Sequence, residues 1–129
     1  MDKERFDRGL VARKAVLGDA YVDQAFASAD DFNRDFQDLV TEYCWGTCWS
    51  EDTLDKRQRS LLNLGMIAAL NRMHEWELHF KGAIANGLTR DELKSILTQI
   101  TIYCGVPVGV ECFRIARKVF AESAGGVKT

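Results

Sequence analysis

A single proline, Pro107, interrupts 129 residues, and proline is the residue a helix interior tolerates least. The remaining breaks fall at glycines, chiefly Gly18, Gly46, Gly87, Gly105 and the pair Gly125-Gly126. Such sparse punctuation favours long helices over many short strands, and between the breaks apolar residues recur at helical spacing. Residues 3–16 read as a highly charged helix that packs one thin face. A short second helix carries Tyr21, Val22, Ala25 and Phe26. Asp30 or Asp31 caps a longer one with Phe32, Phe36, Leu39, Val40 and Tyr43 in helical register, running into Cys44-Trp45-Gly46-Thr47-Cys48-Trp49. Asp55 is placed to cap a helix over 56–70. Its last ten residues are apolar nearly all round, which marks the buried central helix.

A further helix over 74–85 meets a stop at Asn86-Gly87. Thr89-Arg90-Asp91-Glu92 is a capping box, and the helix it opens aligns Leu93, Ile96, Leu97, Ile100 and Tyr103 or Cys104. Gly105 ends that helix, and Pro107 sits in the first turn of the last one, where a missing N–H is harmless. Val108, Cys112, Ile115, Ala116 and Val119 form its apolar stripe. The reading is all-α, with six to seven helices in one domain over 1–129. Residues 1–30 form an N-terminal helical extension, and 122–129 a frayed tail.

Hydrophobic residues at 47% and charged residues at 28% exclude a disordered tail. A net charge of −2 provides no basic excess for phosphate backbones, so no nucleic-acid partner is expected. The longest apolar stretch, 61–70, is broken by Asn63 and too short for a bilayer. The N-terminus is charged with no apolar h-region behind it. A cytoplasmic protein with no membrane partner is the expectation. Cys44, Cys48, Cys104 and Cys112 contain no Cys-x-x-Cys pair and read as reduced thiols.

Glu75 and His79 stand four apart, so on a helix they share a face. A carboxylate there fixes the imidazole tautomer and raises its basicity, as an acid/base catalyst needs; a plain surface Glu–His pair has the same spacing. His74 lies about 140° round the helix from His79, so the two do not chelate one metal, and no metal site is expected. Trp45 and Trp49 form an aromatic wall, with Gly46 leaving room for a ligand or another helix; core or interface packing is the plainer reading. Arg57 and Arg59 are solvated in the plain reading, yet an arginine beside such a wall binds a carboxylate bidentately. Cys44 and Cys48 share a face as a redox pair or a soft-metal site would, but the spacing matches no standard motif. All four cysteines read best as small buried hydrophobes.

Several stretches, in order, resemble the carboxymuconolactone decarboxylase family: Tyr43-Cys44-Trp45-Gly46-Thr47-Cys48-Trp49, then Leu54-Asp55-Lys56-Arg57-Gln58-Arg59-Ser60-Leu61, then Glu75-Trp76-Glu77-Leu78-His79. Ala83-Ile84-Ala85-Asn86-Gly87, Thr89-Arg90-Asp91-Glu92-Leu93 and Tyr103-Cys104-Gly105-Val106-Pro107 continue the set. The resemblance implies the alkylhydroperoxidase D-like helical fold. Peroxidases of that superfamily carry Cys-x-x-Cys-x-x-x-His. With His79 as that histidine, the thiol positions hold Arg72 and Glu75, and the acid that activates them is Ser60. No sulfur stands where a low-pKa thiolate is needed, which points to the decarboxylase branch. Many decarboxylase members have Arg-Pro-Gly after the second tryptophan, where this chain has Glu51-Asp52-Thr53.

The resemblance implies a carboxy-lyase acting on 4-carboxymuconolactone or a related unsaturated carboxylactone in aromatic-compound catabolism, the β-ketoadipate/protocatechuate route. That substrate is its own electron sink, so no cofactor is implied. His79, oriented by Glu75, is expected to hydrogen-bond the developing oxyanion or deliver the proton. Trp45 and Trp49 are expected to wall the pocket, Arg59 or Arg57 to anchor the retained carboxylate, and Tyr103 to supply a hydroxyl. A homo-oligomer, trimer or hexamer, is implied as well. Two alternatives differ in class: an alkylhydroperoxidase-like antioxidant using Cys44 and Cys48, and a non-catalytic oligomeric binding protein.

Overall fold

In a computed structural model that describes residues 1–123 and 126–128, the secondary structure is helical throughout, without strands among the described residues. The order is α1 (Lys3–Leu17), α2 (Asp19–Ala27), α3 (Arg34–Leu39) continuing as a π-helix (Val40–Trp49), α4 (Lys56–Ala69), α5 (Met73–Ala85), α6 (Arg90–Cys104) and α7 (Val106–Glu122). The all-α reading of six to seven helices holds, with seven α-helices among the described residues. The chain divides into two compact units, Met1–Lys56 and Arg57–Thr129.

In the first unit α1 packs on the π-helix. Its thin face is Gly9, Ala12, Arg13 and Val16, and two of these are small enough for close approach. A Cβ on Gly9 would overlap the Thr41 carbonyl, and one on Gly46 would overlap the Arg5 carbonyl. The room that Gly46 leaves is therefore filled by a helix. Buried charge is matched across the contact: Arg5 Nη1 lies 3.2 Å from Glu42 Oε2. Arg13 donates to Thr41 Oγ1 at 3.0 Å and to Gln37 Oε1 at 2.9 Å.

The π-helix changes which side chains turn inward. Ser50 N–H bonds the Trp45 carbonyl at 2.9 Å, five residues back, the wide-turn pattern of this helix type. In that coil an interval of four keeps nearly in line, and the buried residues are Thr41, Glu42, Trp45, Gly46 and Trp49. The stripe expected from α-helical spacing lies outward instead: Phe32 is 93% exposed, and Phe36, Leu39 and Tyr43 are all more than half exposed. Cys44 and Cys48 fall on the exposed side too, so the buried-hydrophobe reading holds for Cys112, is partial for Cys104, and fails for these two.

In the second unit the core gathers Leu64, Ala68, Trp76, Phe80, Leu93, Leu97, Ile115 and Val119 with their neighbours. Asn71, in the left-handed region at φ 57, turns α4 into α5, a conformation asparagine tolerates better than most residues. The Thr89–Glu92 capping box forms in both directions, Gly87 and Gly105 take positive φ, and Pro107 occupies the first turn of α7. α4 departs from its expected all-round burial, since Leu61, Leu62 and Met66 are at least 47% exposed, as is Leu70 just beyond its end. A frayed tail is expected at 122–129, of which 124, 125 and 129 lie outside the described residues. Glu122 still belongs to α7, and the Lys128 carbonyl accepts the Arg90 N–H at 2.7 Å.

Candidate active site

The antiparallel pair α4 and α5 is pinned at two levels. Trp76, fully buried, donates its indole N–H to the Leu64 carbonyl at 3.0 Å and stacks on Phe80 with centroids 5.0 Å apart. Toward the other end the Asn86 amide donates to Ser60 Oγ at 2.8 Å. A buried indole or amide left without a partner is costly, so these bonds fix both the register and the rotation of the two helices. Between them His79 of α5 meets Asn63 of α4, with Asn63 Nδ2 at 3.4 Å from His79 Nδ1.

An amide nitrogen only donates. Nδ1 of His79 accepts that bond in the tautomer whose proton sits on Nε2. His79 is partly buried, and burial pushes its pKa below the ordinary 6.5, with the Glu75 carboxylate one turn earlier pulling the other way. Glu75 is exposed and acts on the ring through its charge, whereas Asn63 faces the ring nitrogen. The lowered pKa favours the uncharged imidazole near neutral pH.

Arg59 stands one helical turn before Asn63 on the same face of α4 and is partly buried. By the same helical spacing Glu75 shares a face of α5 with His79. Arg57 is engaged differently. Its Nη2 lies 2.5 Å from both Glu92 oxygens, and the ion pair helps draw the Glu92 carboxyl down to about 2. The Glu92 carboxylate also serves the capping box, so Arg57 is tied to the start of α6. Tyr103 is 83% exposed and borders a cavity of about 200 Å³ with Leu61, Gly65 and Ile100. Leu61 and Gly65 lie about 160° round α4 from Asn63, so within one chain Tyr103 and His79 attend opposite sides of α4.

Trp45 and Trp49 belong to the first unit. Their rings stack with centroids 4.9 Å apart, and both are buried against Ala12 and Val16. Asn63 is the site residue that sequence reasoning missed. Its signal was present as the one polar residue in an apolar stretch, four positions after Arg59. Ser60, where a peroxidase would carry its acid, is a buried hydroxyl bonded to Asn86. Although Cys44 lies on the exposed side, partial desolvation by surrounding protein, and then the neighbouring Cys48, raise its thiol pKa, the opposite of what a reactive thiolate needs. Among the described residues no three His, Cys, Asp or Glu side chains gather as a metal-binding group, and no helix is long and apolar enough to cross a membrane.

Comparison with known proteins identifies the family. Residues 34–118 match the model of the carboxymuconolactone decarboxylase family. The chain is 41% identical over 122 residues to nitrosuccinic acid decarboxylase of Metarhizium robertsii, covering 95% of this chain and 85% of that one. It is 34% identical over 121 residues to 4-carboxymuconolactone decarboxylase of Acinetobacter baylyi, covering 94% and 90%. A 45-residue stretch, 35% of this chain and 94% of the relative, is 44% identical to 4-carboxymuconolactone decarboxylase of Pseudomonas putida. Matched by the family model across both of its units, and by two decarboxylases over nearly its whole length, this protein is a member of the carboxymuconolactone decarboxylase family.

Proposed function

We propose that the protein decarboxylates 4-carboxymuconolactone or a related unsaturated carboxylactone in aromatic-compound catabolism, with His79 as the neutral donor to the oxyanion that forms. Carboxy-lyase activity itself follows from the family and from two near full-length relatives, both decarboxylases. The observation that carries the assignment to His79 is the Asn63 amide against Nδ1.

The lactone bears two carboxylates and a conjugated carbonyl. When the bond to one carboxylate breaks, carbon dioxide departs and the electron pair runs through the double bond onto the lactone oxygen. The resulting dienolate takes a proton at carbon. A protein contributes most by placing fixed dipoles where that charge develops and by holding the substrate in one orientation. His79 Nε2–H supplies the dipole, and Asn63 keeps the proton on that nitrogen. Glu75 tempers the fall in the ring's pKa, and Arg59, one turn away on α4, anchors the retained carboxylate through its planar fork.

A second reading is favoured by the higher identity to the nitrosuccinic acid decarboxylase. Nitrosuccinic acid poses the same problem in another form. It too has two carboxylates, and loss of the one beside the nitro group leaves a nitronate whose charge rests on oxygen. The same donor and the same anchor serve both acids, while pocket shape decides between them.

The exposed apolar side chains of α4, together with Ile102, Tyr103, Val106 and Val110, support a homo-oligomer, read as a trimer or hexamer, since free monomers rarely leave so much apolar surface open. A cytoplasmic location is part of the same proposal. The test is incubation of purified protein with each acid, following carbon dioxide and identifying the product. Release from the lactone without added thiol is expected. Release from nitrosuccinic acid alone selects the second reading, and release from neither overturns both.

A further inference from the structure

A cavity of about 210 Å³ lies between α5, α6 and α7 of the second unit, apart from the groups assigned to the reaction. Its walls are apolar: Phe80, Leu93, Leu97 and Ala116 are buried, and the Phe80 and Phe120 rings meet at 59° with centroids 5.5 Å apart. Its charged lining is Arg90, Lys94 and Arg117, with no carboxylate among the lining residues. Neighbouring cations are neutralised, Arg114 by Glu111 and Lys118 by Glu77. Arg90, Lys94 and Arg117 form no ion pair with any described residue. The Arg90 guanidinium rests 5.2 Å over the Phe120 ring, which holds it beside the apolar walls.

We propose that this cavity is a second ligand site, taking a small aromatic monocarboxylate with its ring among Phe80, Phe120 and Leu97 and its carboxylate on Arg117 and Arg90. The volume equals about seven water shares of ~30 Å³, below the ~300–1,000 Å³ of drug-sized pockets, so it fits a single ring. Apolar walls disfavour a second ionised group, because a buried charge without a partner is expensive. That separates this ligand from the dicarboxylates assigned to His79. Three cations with no ion pair among the described residues favour an anion, and guanidinium groups bind a carboxylate in paired, charge-assisted bonds. Phe80 follows His79 at about 100° round α5, so the two sites open on different faces of that helix.

The test is titration of the isotope-labelled protein with benzoate, read by amide chemical shifts. Saturable shifts at Leu93, Leu97 and Phe120, with Asn63 and His79 unmoved, are expected. Benzyl alcohol and benzylamine should bind at least tenfold more weakly. R117Q and R90Q, both at exposed positions, should each weaken benzoate about tenfold, the usual scale for a lost charge-assisted hydrogen bond, and leave the far-ultraviolet circular dichroism unchanged. A116L, which fills the cavity, should abolish the shifts. The proposal is overturned by an absence of saturable shifts, by equal binding of benzyl alcohol, by shifts confined to the His79 region, or by arginine variants that bind benzoate as tightly as the parent.

Discussion

Asn63 Nδ2 stands 3.4 Å from His79 Nδ1, a contact that suits the ring tautomer carrying its proton on Nε2. An acceptor at Nδ1 leaves Nε2–H as the donor. Replacing Asn63 with leucine keeps the bulk and removes the donor, so the ring is free to take either tautomer. The expected result is a fall in kcat of about tenfold, the loss of one modest hydrogen bond carried into the transition state, with little change in KM. Steady-state kinetics on the lactone checks this, and an unchanged kcat removes Asn63 from the account.

The pH dependence follows from the direction of the His79 shift. Burial holds its pKa below 6.5, so the neutral donor persists above that value and is lost on acidification as the imidazolium forms. The kcat/KM profile should be level from near neutrality upward and fall on its acid side. Glu75 raises this pKa, so Glu75→Gln should move the acid limb to lower pH. A rate that climbs as pH falls contradicts a neutral donor.

Helix α1 and the π-helix approach through glycine, and the consequence is specific. Gly9→Ala and Gly46→Ala each force a methyl group against a backbone carbonyl that cannot swing away. Each should destabilise the chain by about 1–3 kcal/mol or more, as overpacking does. Gly65, helical in α4 and facing open space, is the control. Gly65→Ala should be stabilising by roughly 0.5–1 kcal/mol, the backbone-entropy difference between the two residues. Thermal denaturation of the three variants tests the contrast, and equal melting temperatures contradict it.

Much of this was legible in the sequence, because the signals are local. A glycine at positive φ, a proline in a first turn and a Thr–Glu capping box act within a few residues, and Gly87, Gly105, Pro107 and Thr89–Glu92 all do what their spacing implies. Family membership was legible from ordered segments around Trp45, Arg59 and His79. The illegible part depends on the identity of a neighbour. Apolar periodicity in 32–43 gave no sign that the helix widens at Val40 and turns Trp45 and Trp49 inward while leaving Tyr43 outside, nor that Phe32 sits in a turn ahead of the helix. Asn63 looked like a mere interruption of an apolar run until α5 was set opposite it. Arg57 and Arg59 look alike in sequence, and only the position of Glu92 ties the first of them to the start of α6.

Glu92 makes an acid-stability prediction with a definite sign. Its folded pKa is about 2 against an ordinary 4.5, set first by the hydrogen bond from Arg57. A carboxyl depressed in the folded state contributes stability that is complete above the unfolded value and disappears as pH falls through the folded one. Glu92→Gln should therefore lower Tm fully above pH 4.5, with the deficit shrinking toward pH 2. A deficit that grows on acidification is the contrary outcome.

The most direct test is turnover of 4-carboxymuconolactone by His79→Ala, measured as carbon dioxide released per enzyme beside the parent protein. Removing a fixed donor to an oxyanion costs about 10²–10³ in kcat. A loss of at least about a hundredfold is therefore predicted, with the helical circular dichroism retained. Turnover within about twofold of the parent would contradict a catalytic role for this imidazole.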